Sequence, residues 1–429
     1  MSRQRGPLHI STSVKAEEEA TLLHCGRLVD VLTEELVSGQ NILVQGNRIT
    51  AIGANPASPA NAKEIDLSNS TCLPGLFETH AHLDADGTGS AYWPGGRSSA
   101  ASGLVQLRQA QEALKNGFTT IRSVGEFTYH PSIIDVKRAI NHGDFVGPRI
   151  YVAPNMWSAT GGHGDYNIVP TDGPTKDAGF TVPAGTGNVR EKVREEIKLG
   201  ADWIKIAASG GVMSSEDDVS VSGFTQQELN TWVDETHRYH KKITAHVHGN
   251  KPAYMAVKAG VDALEHGTMI EDDTISLLKK QGTWLVPTTW VVDEIARLCN
   301  EPNHPQRPAE TSCRKILNVM KKRDKSFIKA YKKGLNIAFG VDAIYGVKDN
   351  SKEFSALIKL GVTQLDAIKM ATINSARMMG LEQDLGSISV GKLADIIAVP
   401  GDPLIDIELM ESVHFVMKEG NVLHHTHLH

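Results

Sequence analysis

The feature that most constrains this chain is an alternation. From about residue 74 to 387, eight short apolar runs ("PGLFETHAHL", "FTTIRSV", "RIYVAP", "DWIKIAA", "KITAHVH", "VDALEHG", "TWLVPTT" and "LNIAFGVD") are interleaved with segments of helical periodicity, among them "NVREKVREEIKLG", "TQQELNTWVDETHRYH" and "KPAYMAVKAG". Apolar strands joined by helical crossovers form parallel sheets whose faces are covered by those helices. Eight such units predict the α/β class and a (β/α)8 TIM barrel. An open doubly wound sheet shares the alternation, but no G-x-G-x-x-G turn follows any strand to support it.

Both ends of the chain have a different texture. "ATLLHCGRLVDV", "QNILVQGNRITAIG" and "AKEIDLSNSTCL" before the alternation, and "GSISVGKLADIIAVP" and "SVHFVMKEGNVLHH" after it, read as strands separated by turns with no helix between. Residues 1–73 and 388–429 are therefore expected to form one small β-sandwich from both termini, beside a barrel of residues 74–387. One long irregular stretch, "PNMWSATGGHGDYNIVPTDGPTKDAGFTVPAGTG", exceeds ordinary loop length and is expected to be a lid or pocket wall.

Composition narrows the partners. At 40% hydrophobic and 22% charged residues, with a formal charge of −6 and no long basic run, the chain lacks the footprint of a nucleic-acid or anionic-membrane binder, which points to small molecules. No window has the ~20 apolar residues of a membrane span, and the opening residues have no apolar core of the signal-peptide kind. Cys25, Cys72, Cys299 and Cys313 form no C-x-x-C pair, so neither a zinc ribbon nor a disulfide framework is indicated. A reducing, cytoplasmic location is expected; a processed secreted form reads the same.

In such barrels chemistry sits at the C-terminal strand ends. There the first run carries His80 and His82, the fourth Lys205, the fifth His246 and His248, the sixth His266 and the eighth Asp342. Alternate residues of a strand share a face, so each H-x-H pair projects together. Two divalent metals require neutral imidazoles, an anionic bridge and an oxygen ligand, and these residues supply them. Lys205 alone is out of place, being an ammonium in an apolar strand. Reaction with carbon dioxide makes it a carbamate, an anionic two-oxygen bridge; a lysine snorkelling to a carboxylate is the plainer reading. His246 is assigned to metal and His248 to substrate, an order that could be reversed. Asp342 can bind metal and shuttle the proton. His163, in "GGHGD", is placed to polarise a carbonyl or touch substrate. Tyr129, in "SVGEFTYH", is a further substrate-binding candidate, and Tyr92, Trp93, Trp157 and Trp290 are candidates for an apolar pocket wall. His and carboxylate ligands suit zinc, manganese or cobalt.

"PGLFETHAH", "IKIAASGG", "ITAHVHG", "LEHGT", "GVDA" and "GSISVGKLADIIAVPGDPL" resemble, in order and spacing, the metal-dependent amidohydrolase superfamily, over residues 20 to 425. Within it, "ATGGHGD", "ASGGVMS" and "AHVHG" look like the branch of ochratoxinase and of dipeptidases that remove C-terminal residues such as Pro, Arg or Lys. "SVGEFTYH" departs from the small Asp/Gly pattern often found after the second strand. The resemblance implies two zinc ions bridged by N6-carboxylated Lys205, ligands His80, His82, Lys205, His246, His266 and Asp342, amide hydrolysis beside a free carboxylate, and a homo-oligomer of up to eight chains. The implied substrates are N-acyl amino acids, dipeptides or ochratoxin A, with release of a residue such as phenylalanine. Cyclic-amide hydrolysis or deamination of the imidazolonepropionase-like type is the alternative, against which Lys205 speaks. A metal-free scaffold is disfavoured by six intact ligand positions.

Overall fold

Strands form where β-branched and aromatic residues run together, and they stop where helix caps take over. The computed structural model describes residues 19–86, 97–127, 131–165, 181–214 and 217–426. Thr225 begins the helix Gln226–Arg238 with a capping box, its hydroxyl accepting from Glu228 N while the Glu228 carboxylate accepts from Thr225 N. Gly200 and Gly260 end the helices Thr186–Leu199 and Asn250–Ala259 in the left-handed conformation that a side chain would strain. These helices bury apolar faces against the strands. Leu229 and Trp232 are fully buried on the helix Gln226–Arg238, each contributing roughly 1.5–3 kcal/mol.

The middle of the chain contains two parallel sheets. One holds Leu76–Ala81, Phe118–Val124 and Arg149–Ala153 in that order. The other runs Trp284–Val286, Ala263–Met269, Lys242–Gly249, Trp203–Ala207, Met156–Ala159, Thr181–Val182. The last expected run, residues 335–342, forms no regular strand and among the described residues makes one isolated ladder bridge, Leu285 to Ile337. It is hydrogen-bonded to both sheets: Ala338 N donates to Leu285 O (3.0 Å), Thr79 N to Phe339 O (3.1 Å) and Asp342 N to His80 O (2.9 Å). At the other junction Asp202 N donates to Val152 O (2.8 Å).

The expected long loop after the third run is in part a strand pair. Ser158 and Ala159 lie beside Thr181 and Val182, so its two ends extend the larger sheet. Residues 166–180 of that stretch lie outside the described residues.

The two chain ends share one seven-stranded sheet, ordered Asn421–His425, Phe415–Lys418, Ile396–Pro400, Lys63–Pro74, Ala20–Asp30, Glu35–Gln45, Arg48–Gly53. It has its own core, with Leu23, Ile42, Ile49, Leu67, Ile396 and Phe415 among the buried residues.

The cysteines correct the sequence reading. Cys25 pairs with Cys72, joining the adjacent strands Ala20–Asp30 and Lys63–Pro74, and Cys299 pairs with Cys313 across a helical hairpin. Sequence spacing conceals both, because the fold brings their Cα atoms to 5.9 and 5.4 Å. Bridges over such loops contribute on the order of 3–4 kcal/mol in the chain-entropy account. Disulfides persist in oxidising surroundings, so the cysteines no longer favour a reducing compartment. No helix among the described residues is long and apolar enough to cross a membrane.

Candidate active site

Four strand ends and the stretch 335–342 deliver their polar residues to one place. The His80 and His82 rings lie 5.4 Å apart, and those of His246 and His248 4.8 Å apart, as the two H-x-H pairs require. His266 lies 5.0 Å from His80, 4.6 Å from His246 and 5.1 Å from His248, between ring centroids. Asp342 Oδ1 stands 3.4 Å from His82 Nε2 and 3.7 Å from His80 Nε2. His80, His266 and Asp342 each offer a ligand atom within 4.8 Å of the others. Lys205 is 1% exposed, on the strand Trp203–Ala207 beside Met156 and Thr244.

Two of these residues have left-handed backbone, His266 at φ 68° and Asp342 at φ 56°. Such a conformation costs a non-glycine residue about 1–3 kcal/mol and clusters at functional sites. It also breaks strand alternation, so that consecutive Glu265 and His266 both reach His80.

Behind the histidines stands a layer that sequence reasoning missed. Glu265 is fully buried and accepts from His80 Nδ1 (2.6 Å), Arg122 Nη2 (2.6 Å) and Thr244 Oγ1. His82 Nδ1 donates to Gly125 O (2.7 Å). His248 Nδ1 lies 2.9 Å from Thr268 Oγ1, and His266 Nδ1 2.7 Å from Thr288 Oγ1. Glu78 accepts from His80 N (2.7 Å) and Val341 N (3.1 Å), fixing the first strand to the stretch that carries Asp342. With Nδ1 engaged, His80 and His82 present Nε2, the arrangement of metal-ligating imidazoles. His246 Nε2 and His248 Nε2 are buried and have no hydrogen-bond partner among the described residues, a costly state that an added ligand relieves.

Burial holds these groups neutral. It pushes His82 and His248 down to about 3, with the Lys205 charge adding to the effect at His82. His80, His246 and His266 fall well below the usual histidine range for the same reason. Burial brings Lys205 down to about 8 and raises Asp342 to about 8. Neutral imidazoles and an amine able to shed its proton form a donor set that fits divalent cations.

His163 joins the site from the loop after Met156–Ala159, its ring stacked on His246 at 4.4 Å. Ser214 Oγ donates to Asp217 Oδ2 (2.6 Å) and so accepts from His163 Nδ1 (2.9 Å), leaving Nε2 as the nitrogen available to a ligand. Lys315 Nζ donates to Asp217 Oδ1 (2.6 Å) and Ser214 O (2.8 Å). Gly211 permits this fit, since a Cβ there would stand 2.1 Å from His163 Cε1.

A cavity of about 330 Å³ opens on His80, His82, His163, Lys205, His246, His248, His266 and Asp342. Its apolar wall is mainly aliphatic, including Val212, Met213, Val292, Ile295, Ile316 and Ile344. The expected aromatic wall is not what lines it. Trp157 and Trp290 are buried and do not border the cavity. Tyr129, Tyr92 and Trp93 lie outside the described residues.

The sequence pattern of the amidohydrolase family matches residues 71–423, which include every one of these strand ends. The chain belongs to the amidohydrolase family. Ochratoxinase of Aspergillus niger is 30% identical over 446 aligned positions, covering 98% of this chain and 90% of that enzyme. Among solved structures, a Xaa-Pro dipeptidase with bound methionine in its active site superposes with a TM-score of 0.87 at 34% identity, over 95% of this chain and 100% of that one. The crystal structure of A. niger ochratoxinase gives 0.81 at 28% identity, over 96% of each chain. The fold is thus that of amidohydrolase neighbours of the TIM-barrel class, and the chain is a hydrolase of a generally metal-dependent family.

In this amidohydrolase, Glu265 orients His80 and is the buried counter-charge of Arg122. Glu265→Gln is expected to lower metal affinity or kcat/KM by roughly 10- to 100-fold, the usual effect of losing a carboxylate behind a ligating histidine. Metal titration of the folded variant, followed by circular dichroism, measures it. Wild-type affinity and activity would remove Glu265 from this role.

Proposed function

We propose that this chain is a binuclear metal-dependent amidohydrolase that cleaves an amide beside a free carboxylate and releases a C-terminal amino acid with a large apolar side chain. The observation that carries the reading is the convergence of His80, His82, His246, His248 and His266 with buried Lys205 and Asp342 on one cavity, two of the imidazoles having Nε2 atoms with no partner among the described residues. The likeness to ochratoxinase and to a Xaa-Pro dipeptidase supports the choice of an amide whose amine product is an amino acid. The reading takes the fold as a closed (β/α)8 barrel of residues 74–387 with a terminal β-sandwich of residues 1–73 and 388–429. In support of closure, the stretch 335–342 bonds to both parallel sheets.

His80, His82, Lys205, His246, His266 and Asp342 would hold two divalent ions, zinc in the first instance. Such ions supply Lewis acidity to the amide carbonyl and lower the pKa of the attacking water. Lys205 takes part as a carbamate: its neutral Nζ forms a bond to the carbon of carbon dioxide and releases a proton, leaving a carboxylate. The depressed Lys205 pKa favours the neutral amine this step needs. Asp342, raised to about 8 by burial, would be held ionised by a bound cation; its carboxylate then accepts the proton of the attacking water and returns it to the departing amine nitrogen. His248 donates from Nε2 to the substrate carboxylate when Thr268 donates to its Nδ1. Burial holds His163 neutral, down to about 4 against the Asp217 charge behind Ser214, so with Nδ1 donating to Ser214 it offers Nε2 as an acceptor to a donor group of the substrate.

Zinc-loaded protein assayed on N-acetylphenylalanine, its methyl ester and its carboxamide tests the reading, with ochratoxin A and C-terminal proline dipeptides alongside. Masking the carboxylate is expected to lower kcat/KM roughly 10- to 100-fold, the loss of a charge-assisted hydrogen bond or two. Equal cleavage of all three overturns it.

A further inference from the structure

The wall of the cavity opposite the strand ends is a separate piece of structure, the helical hairpin of Thr289–Cys299 and Glu310–Lys332. Val292 and Ile295 from its first helix and Ile316 from its second face the cavity. Both ends of the first helix are anchored. At its start the buried Glu353 carboxylate accepts from Thr289 N (2.8 Å) and Trp290 N (2.6 Å). At its end Cys299 is bonded to Cys313, on the first turn of the second helix.

The second helix then continues the wall toward His163. Ser312 Oγ donates to Met213 O (3.4 Å), and Lys315 holds the Gly211–Ser214 loop and Asp217, which position His163. A substrate residue seated against His163 thus has its side chain beside Met213, Ile316 and Ile295.

We infer that the hairpin clamped by Cys299–Cys313 is the selectivity wall for the side chain of the released amino acid, and that the disulfide is its positioning element. This rests on the amide-hydrolysis reading above. Without the bridge, Glu353 still fixes one end of the first helix, but Ile295 loses its register against Ile316. The pocket then distinguishes a large apolar side chain from a small one less well. The Cys25–Cys72 bridge lies in the terminal sheet and borders no part of the cavity, which makes it the built-in control.

The test compares N-acetylphenylalanine with N-acetylalanine on the zinc-loaded full chain. In Cys299→Ala/Cys313→Ala the preference for phenylalanine is expected to fall roughly tenfold, the scale of a methylene or two in an apolar pocket, and to appear as a raised KM for the phenylalanine substrate rather than a lower kcat. Cys25→Ala/Cys72→Ala is expected to keep the wild-type preference. Val292→Ala/Ile295→Ala leaves the bridge intact and is expected to show the same fall, so the wall remains testable if the bridge variant does not fold. An unchanged preference in the folded variants, or an equal loss for both substrates, overturns the inference. Calorimetric binding of phenylalanine against alanine separates it from the reaction. A wild-type preference that vanishes in the hairpin variants sustains the wall even if neither amide is cleaved. No wild-type preference, or one that survives in the variants, removes the wall whatever the amides do.

Discussion

Lys205→Ala is expected to lower kcat/KM by at least about 10³-fold, the consequence of losing several kcal/mol of metal-centred stabilisation. The residue is buried in an apolar strand, and among the described residues no hydrogen bond or ion pair takes up its Nζ, so a plain ammonium has little to do there. The proposed carbamate would have more, because it would supply two oxygens sharing one negative charge beside imidazoles that are neutral. Lys205→Arg is expected to be as inactive as the alanine variant, since guanidinium does not form a carbamate. Short carboxylic acids added to Lys205→Ala are expected to restore part of the rate by standing in for the missing oxygens. Near-normal turnover by Lys205→Arg would establish a simple cationic role instead.

Removing divalent metal is expected to abolish hydrolysis and to lower the melting temperature by several degrees, with both restored by zinc. A ligand present at 100 to 1,000 times its Kd contributes about 2.7–4.1 kcal/mol to the folded state. Elemental analysis is expected to find two ions per chain; one ion with Lys205 unmodified would undo the binuclear assignment. The metal-free chain is also expected to be acid-labile. His82 and His248 titrate near 3 and His163 near 4 in the folded chain, whereas an unfolded histidine titrates near about 6.5, so the unfolded state binds more protons between those values. Their contribution is present above pH ~6.5 and is lost as the pH falls toward 3 to 4, by up to about 1.4 kcal/mol per histidine per pH unit. A calorimetric series from pH 7.5 to 4.5 reads the slope; a flat melting temperature would contradict the burial of neutral imidazoles.

What the sequence disclosed was whatever obeys a simple period. His80 and His82 are neighbours on one strand face, and the same rule brings His246 beside His248. The rule fails at Glu265 and His266. These consecutive residues both point at His80 only because His266 has left-handed backbone, and nothing local in "LEHGT" announces it. Arg122 carries no local mark of its role in "FTTIRSV", yet it is the buried partner of Glu265. The eighth run looked like its seven predecessors. Yet Gly340 packs so closely that a Cβ would stand 2.8 Å from His80 Cβ, and Asp342 leaves the extended region altogether. The aromatic residues misled because aromatic content says nothing of direction: Trp157 and Trp290 pack inward, while valines and isoleucines of the hairpin meet the cavity. The disulfides were hidden for a related reason, each joining cysteines that only tertiary structure makes neighbours.

The seven-stranded sheet has a consequence for how the chain is made. Lys63–Pro74 lies between Ala20–Asp30 and Ile396–Pro400, so one of its edges finds its partner only after almost the whole parallel layer has left the ribosome. Until then a nascent chain exposes the backbone donors and acceptors of an unpaired strand, the kind of edge that recruits strands from other molecules. Chains fold from the N-terminus as they emerge, and pairings between distant segments close late. Completion of this sheet therefore waits until residues 396–400 have been made. A ribosome stalled short of residue 396 would hold a chain whose cavity residues from His80 to Asp342 are all synthesised but whose strand Leu76–Ala81, entered directly from Pro74, is still tethered to an open edge.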